Sequence, residues 1–102
     1  MMGFADLHIH SQYSDGTFTP EEIVRRARRA GASFLSVCDH NVVEGTARTA
    51  PLAIAAGLRY IHGAEIDSIW DGVDVHILCY GADIAHPALT PALRHARRKL
   101  DD

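Results

Sequence analysis

Two histidines near the start of the chain, His8 and His10, have a spacing that suits a metal site. The run from Phe4 to Ile9 predicts a β-strand, and residues two apart on a strand lie about 6–7 Å apart on one face. The carboxylate of Asp15 follows in a loop that Gly16 allows to turn sharply. Two imidazoles and a carboxylate suit a borderline divalent metal, namely Mn, Fe or Zn. The alternative is that both histidines are polar residues on a half-exposed strand.

A third histidine follows the next predicted strand. Residues 32–38 form an almost continuous apolar run, typical of a strand buried on both faces, and Asp39-His40-Asn41 comes directly after it. Sites in parallel α/β sheets are built at the carboxyl ends of the strands, so His40 is a further candidate ligand. Asp39 could orient His40 or an adjacent ligand. The alternative is an Asp/Asn turn that leads into a helix.

A carboxylate takes the same position one unit later. Leu58 to His62 predicts a third strand, and Glu65 follows at its end, where His40 stands after the second strand. A carboxylate at this point could bridge two metals.

A hairpin is predicted to add a fourth histidine. The strand-like runs Glu65–Trp70 and Val73–Tyr80 are joined by Asp71-Gly72, which is a strong hairpin signal. Alternation along the second run places His76 near Glu65 across the hairpin.

Helices are predicted between the strands and after the hairpin, over residues 20–30, 44–57 and 87–100. Thr19, Pro20 and Glu22 have the pattern of a capping box with proline at the first helical position. Gly31 is the expected C-terminal cap of the first helix. Pro51 is expected to kink or restart the second helix, because proline removes a hydrogen bond and clashes with the preceding turn.

The composition limits the possible partners. The 102 residues carry a net charge of −3, which gives no basic footprint for duplex nucleic acid. This charge does not exclude a groove that binds single-stranded nucleic acid, because bound metal would add positive charge locally. No apolar run approaches the roughly 20 residues of a membrane span. Cys38 and Cys79 lie in apolar runs without a Cys-x-x-Cys pair, and no signal-peptide pattern precedes them. These features favour reduced thiols in a cytoplasmic protein.

The order strand–helix–strand–helix–strand–hairpin–helix predicts an α/β fold with parallel strands. Each candidate ligand falls just inside or just after the carboxyl end of a strand. We therefore expect all of them to form one cluster at that edge of the sheet.

The ordered motifs resemble those of the PHP (polymerase and histidinol phosphatase) superfamily. The resemblance lies in Asp6-x-His8-x-His10-Ser11 with Ser14-Asp15-Gly16 and Thr19-Pro20, in Asp39-His40-Asn41, in Gly63-Ala64-Glu65, and in His76-Ile-Leu-x-Tyr-Gly. It implies a distorted (β/α)7 barrel with two or three divalent metals. The implied metal ligands are His8, His10, Asp15, His40, Glu65 and His76.

The resemblance also implies a function. The motifs look most like those of small stand-alone phosphoesterases, which act on nucleotides, short oligonucleotides or similar small phosphoesters. Two ions bridged by Glu65 would hold a hydroxide that attacks phosphorus in line. The alternative is a non-catalytic metal-binding or regulatory module from a truncated barrel. A proofreading or accessory domain of a polymerase is a weaker possibility, because nothing basic or additional is present.

Two features depart from the family pattern. Cys38 stands where many relatives have threonine, and a seven-unit barrel needs roughly twice this length. Relatives supply a further histidine and a late Asp-x-His pair. We therefore expect residues 1–102 to be the N-terminal segment of a PHP domain, a partial barrel that is weakly active alone. An unpaired edge near Val73–Tyr80 or the opening strand would then self-associate or pair with a continuation of the chain beyond Asp102.

Overall fold

The structure is a computed structural model in which residues 3–101 are described, with their side chains up to residue 95. The elements in chain order are β1 (Phe4–Ile9), α1 (Pro20–Ala30), β2 (Ala32–Val37), α2 (Glu44–Ala55), β3 (Arg59–Tyr60), β4 (Gly63–Trp70), β5 (Val73–Tyr80) and α3 (Leu89–Asp101). This is the predicted α/β order. The third strand is shorter than the predicted Leu58–His62, and the hairpin begins two residues earlier than expected.

The parallel sheet has the order β1-β2-β3, with α1 and α2 as the connections between its strands. The chain leaves β3 and returns to the sheet beyond the end of β2. There the backbone N–H of Glu65 donates to the carbonyl of Asp39 at 3.0 Å, and that of Asn41 donates to the carbonyl of Glu65 at 2.9 Å. These bonds hold Glu65 beside His40, so that the hairpin is attached to the sheet at its carboxyl edge.

The first helix has the predicted ends. The backbone N–H of Glu22 donates to the hydroxyl of Thr19 at 3.2 Å, and Pro20 is the first helical residue. Gly31 ends the helix in the left-handed region, with φ of 90°, which glycine adopts without a steric penalty.

The expectation that Pro51 would restart the second helix is wrong. The helix is continuous from Glu44 to Ala55, with Pro51 inside it. Proline lacks the N–H for one helical bond. The opposite face of α2 is buried against the sheet through Thr46, Thr49 and Ala53. Tertiary packing therefore stabilises the helix despite the missing hydrogen bond.

The core lies between the sheet and the two connecting helices. It consists of Val24, Ala32, Leu35, Ala53 and Leu58, with Leu35 and Ala53 fully buried. Both helices cover the same sheet, so the polar residues at its carboxyl edge are left outside the apolar core. Among the described residues, no helix has the length and apolar character that crossing a membrane would require.

The hairpin has the two-residue turn that its sequence predicts. Asp71 and Gly72 both have positive φ, of 52° and 75°, as a type I′ turn requires. The register pairs Trp70 with Val73 and, further along, Asp67 with His76. The hydroxyl of Tyr80, at the end of β5, donates to the carbonyl of Leu7 in β1. This contact joins the hairpin to the first strand.

Gly45, the second residue of α2, is expected to be intolerant of a side chain. A Cβ at this position would overlap Oδ2 of Asp39 and Oγ of Ser11. We expect Gly45→Ala to lower the free energy of unfolding by about 1–3 kcal/mol, as overpacking does, measured by urea denaturation. Helix propensity alone predicts the opposite, a gain of about 1 kcal/mol. A stabilised variant would therefore show that Asp39 and Ser11 do not pack against this helix.

Candidate metal centre

The structure brings the six predicted ligands together at the carboxyl edge of the sheet. Together with Asp67, they form three groups, and within each group the ligand atoms lie within 4.8 Å of one another. The groups are His8, His10 and Glu65; His10, Asp15 and His40; and His40, Glu65, Asp67 and His76. We call these seven residues the histidine–carboxylate cluster. Asp67 is its one member that the sequence analysis did not predict.

Glu65 lies at the centre of the cluster, with a side chain only 6% exposed. Its Oε1 is 2.6 Å from Nε2 of His8 and 3.0 Å from Nε2 of His10. Its Oε2 is 2.8 Å from Nδ1 of His76 and 3.5 Å from Nδ1 of His40. The two carboxylate oxygens therefore face different sets of imidazoles.

The protonation of Glu65 is governed by these imidazoles. Burial by itself raises the pKa of this carboxyl group, but hydrogen bonds from His8, His76 and His10 lower the pKa to about 2. Glu65 is therefore ionised at neutral pH, as a metal ligand must be.

The pKa values of two histidines shift upward. Burial lowers the pKa of His40, but the hydrogen bond and charge of Asp67 outweigh it and raise that pKa. The hydrogen bond with Glu65 raises the pKa of His76. The carboxylates thus stabilise positive charge on these rings. Protons and divalent cations would compete for the same nitrogen lone pairs, so metal affinity should rise with pH.

Asp15 lies at the outer side of the cluster and is 62% exposed. Its Oδ1 is 2.5 Å from Nδ1 of His10, and its Oδ2 is 3.0 Å from Nε2 of His40. Burial raises the pKa of Asp15, but the hydrogen bonds and charges of His10 and His40 outweigh this effect. The pKa of Asp15 therefore lies below its ordinary value.

Asp39 contacts the loop beside two other predicted ligands, which corresponds to the second of the two roles that the sequence suggested. It does not orient His40, whose ring contacts Asp67 and Asp15 instead. The carboxylate of Asp39 is 1% exposed and accepts three hydrogen bonds of 2.6 Å. The donors are the backbone N–H and hydroxyl of Ser11 and the hydroxyl of Ser14. Asp39 therefore fixes the loop between His10 and Asp15, the segment adjacent to two predicted ligands. We call Asp39, Ser11 and Ser14 the Asp39 network.

The sequence contained a signal for Asp67. On β4, Asp67 lies two residues after Glu65 and so shares its face. A two-residue turn at Asp71-Gly72 also places Asp67 opposite His76, as the structure shows. Applying that register to the sequence would have identified this carboxylate.

The donor set fits divalent metals. Nε2 of His8 and Nε2 of His10 lie 3.2 Å apart, and both face the same oxygen of Glu65. Among the described residues, the buried Oδ1 of Asp67 has no hydrogen-bond partner. Converging imidazole nitrogens and carboxylate oxygens are typical ligands of Mn, Fe and Zn. A cation would satisfy these lone pairs together.

His62, His86 and His95 lie outside the cluster. Nδ1 of His62 is 3.0 Å from the hydroxyl of Thr46. Nδ1 of His86 accepts a hydrogen bond from the backbone N–H of Ala88 at 3.1 Å. These contacts indicate structural roles.

Known proteins resemble this chain over most of its length. The PHP domain family model matches residues 6–94. The chain is 38% identical over 89 residues to a 5'-3' exoribonuclease of Haemophilus influenzae, covering 87% of this chain and 32% of the relative. It is 38% identical over 96 residues to a 3',5'-nucleoside bisphosphate phosphatase of Chromobacterium violaceum, covering 94% and 34%.

A solved structure has the same arrangement of elements. It is that of a proposed metal-dependent phosphoesterase from Bifidobacterium adolescentis, with a TM-score of 0.85 and 28% sequence identity. The match covers 94% of this chain and 34% of the other. The chain thus spans about a third of the length of the proteins that it matches.

Proposed function

This chain belongs to the PHP domain family, and we propose that it forms a metal centre that hydrolyses small phosphoesters, with nucleotides as the substrate class. The observation that carries the proposal is Glu65, whose two oxygens face separate sets of imidazoles. Two divalent ions on either side of such a carboxylate could act on one phosphoryl group. Metals bound there would neutralise phosphoryl charge and lower the pKa of a bound water.

The chain's own residues would hold the metals and keep them in place. His8 and His10 face one oxygen of Glu65, and His76 faces the other. Asp15 and His40, with His10, supply a third group of ligands. The Asp39 network fixes the loop that carries Asp15. Rigid support of this kind keeps ligands within the narrow tolerance that phosphoryl transfer requires.

The relatives support phosphoesters of nucleosides as the substrate class. One is named for a nucleoside bisphosphate and the other for RNA. The net charge of −3 gives no overall positive charge to attract a duplex. We therefore propose nucleotides or short single strands rather than double-stranded nucleic acid.

We also propose that residues 1–102 form the N-terminal segment of a PHP barrel. The support is the solved structure, which this chain matches over 34% of that protein's length. Within the described residues, β1 and β5 are edge strands. Further strands, or a second copy of the chain, would cover these edges. Size-exclusion chromatography with light scattering would distinguish these two arrangements.

The proposal predicts metal-dependent hydrolysis. We expect removal of metal by a chelator to lower turnover of a 3',5'-nucleoside bisphosphate by at least about 100-fold, because each ion supplies several kcal/mol of charge stabilisation. Added Mn²⁺ should restore it. His8→Gln should weaken the response to Mn²⁺, whereas His95→Gln, at an exposed position on α3, should behave as the unaltered protein. Metal binding without turnover of this substrate, of a short oligoribonucleotide or of a generic phosphodiester would instead favour a non-catalytic metal-binding module.

A further inference from the structure

We propose that Asp67 is a further metal ligand, which completes a four-ligand site with His40, Glu65 and His76. The inference rests on the proposed function, because it concerns the same metal centre. Asp67 lies outside the sequence motifs that identified the other ligands, and only the folded hairpin brings it to them.

The four side chains face one point from separate parts of the chain. Oδ2 of Asp67 is 2.8 Å from Nδ1 of His40, and its Oδ1 is 2.7 Å from Nδ1 of His76. Glu65 approaches both nitrogens through a single oxygen. One ligand atom from each residue lies within 4.8 Å of the others.

Hydrogen bonds do not satisfy this group of atoms. Two ring nitrogens, of His40 and His76, face three carboxylate oxygens, and each ring nitrogen can carry one proton. One oxygen must therefore lack a strong donor. Oδ1 of Asp67 is that oxygen, since it is buried and forms no hydrogen bond with any residue that the structure describes, despite its short distance to His76. Such a group is costly unless a cation pairs with it.

The position of Asp67 is fixed by its backbone. Its N–H donates to the side-chain oxygen of Asn41 at 3.0 Å. Asn41 is itself buried and has a positive φ of 52°, a conformation that asparagine tolerates. The residue that follows His40 thus holds β4 in the register that aims Asp67 at the cluster. A ligand held in this way loses little freedom on binding an ion.

The number of ligands distinguishes this site from the other two groups. Among the residues that the structure describes, those groups have three ligands each. Sites with three protein ligands leave a position for water or substrate, whereas sites with four are closed and retain the ion. We infer that the ion at Asp67 is the most firmly held, and that it would contact a phosphoryl group by expanding its coordination to five ligands, as zinc can.

Chelator titration of the protein tests this inference. Protein loaded with Zn²⁺ is dialysed against graded chelator, and the remaining metal is counted by mass spectrometry. We expect one ion to resist removal in the unaltered protein. Asp67→Asn should lower the affinity for that ion by at least about 10-fold, because loss of a residue that merely hydrogen-bonds to a ligand already costs about 10-fold to 100-fold. Asp74→Asn is the matched control, because Asp74 lies exposed on the same face of the hairpin, outside the cluster.

The outcomes separate this inference from the proposed function. If Asp67→Asn retains the ion with unchanged affinity, Asp67 is not a ligand, although the metal centre stands. If the unaltered protein binds no ion, the proposed function fails as well.

Visible absorption of the Co²⁺-loaded unaltered protein gives a test that needs no variant. With one equivalent of Co²⁺, which fills the tightest site first, intense bands indicate four-fold coordination at that site, and weak bands typical of six-fold coordination would contradict the inference.

Discussion

Glu65→Gln is expected to remove activity almost completely, lowering kcat/KM by about 1,000-fold or more. The amide keeps the size of the side chain but replaces one oxygen by an NH₂ group, which repels a cation. Glu65 supplies ligand atoms to two of the three groups in the cluster. A single substitution would therefore weaken two metal positions, whereas loss of His8 or His76 weakens one.

Metal content and turnover should fall together in this variant. Glu21→Gln is the control, since Glu21 is exposed in the first turn of α1. It should change neither quantity, because substitutions on an exposed surface have little effect. Full metal content with full turnover in Glu65→Gln would show that this carboxylate does not bridge the ions. Lost turnover with full metal content would show that its role is in the reaction rather than in metal binding.

Asp39→Ala is expected to have the largest effect on stability, lowering the free energy of unfolding by about 3–5 kcal/mol. Three short hydrogen bonds end on this buried carboxylate. Bonds to a charged group contribute about 1.5–3 kcal/mol each, and their loss leaves donors on buried Ser11 and on half-buried Ser14 without this partner. The loop that carries Asp15 would lose its attachment to the end of β2.

Urea denaturation and hydrogen exchange measure these two effects. In Asp39→Ala, hydrogen exchange should accelerate more at residues 11–16 than in the sheet. Asp39→Asn retains one acceptor oxygen and should recover part of the stability, while Asp74→Ala should change it by no more than about 0.5 kcal/mol. Unchanged exchange in the loop of Asp39→Ala would show that Asp39 does not position it.

The local elements of this fold could be predicted because few neighbouring residues determine them. The cap at Thr19, the left-handed Gly31 and the turn at Asp71-Gly72 all depend on residues within one turn of chain. Pro51 shows the limit of that reasoning. Its local preference was outweighed by packing of the opposite helix face against the sheet, which depends on residues far away in sequence.

The candidate site could be predicted as a set of residues but not as a set of contacts. The six ligands follow from their positions at strand ends and from the family motifs. The partners of Asp39 could not be deduced, because three donors came from a loop 25 or more residues away. Asp67 required the register of the hairpin. The metal roles of all seven residues remain predictions.

The turn at Asp71-Gly72 has a consequence for how this protein tolerates insertions and deletions. One residue added to or removed from the turn would shift the pairing of β5, and such a shift moves every side chain of a strand to the opposite face. His76 would then leave the cluster, although neither turn residue belongs to it. Natural selection should therefore act on the length of this turn more strictly than on its side chains.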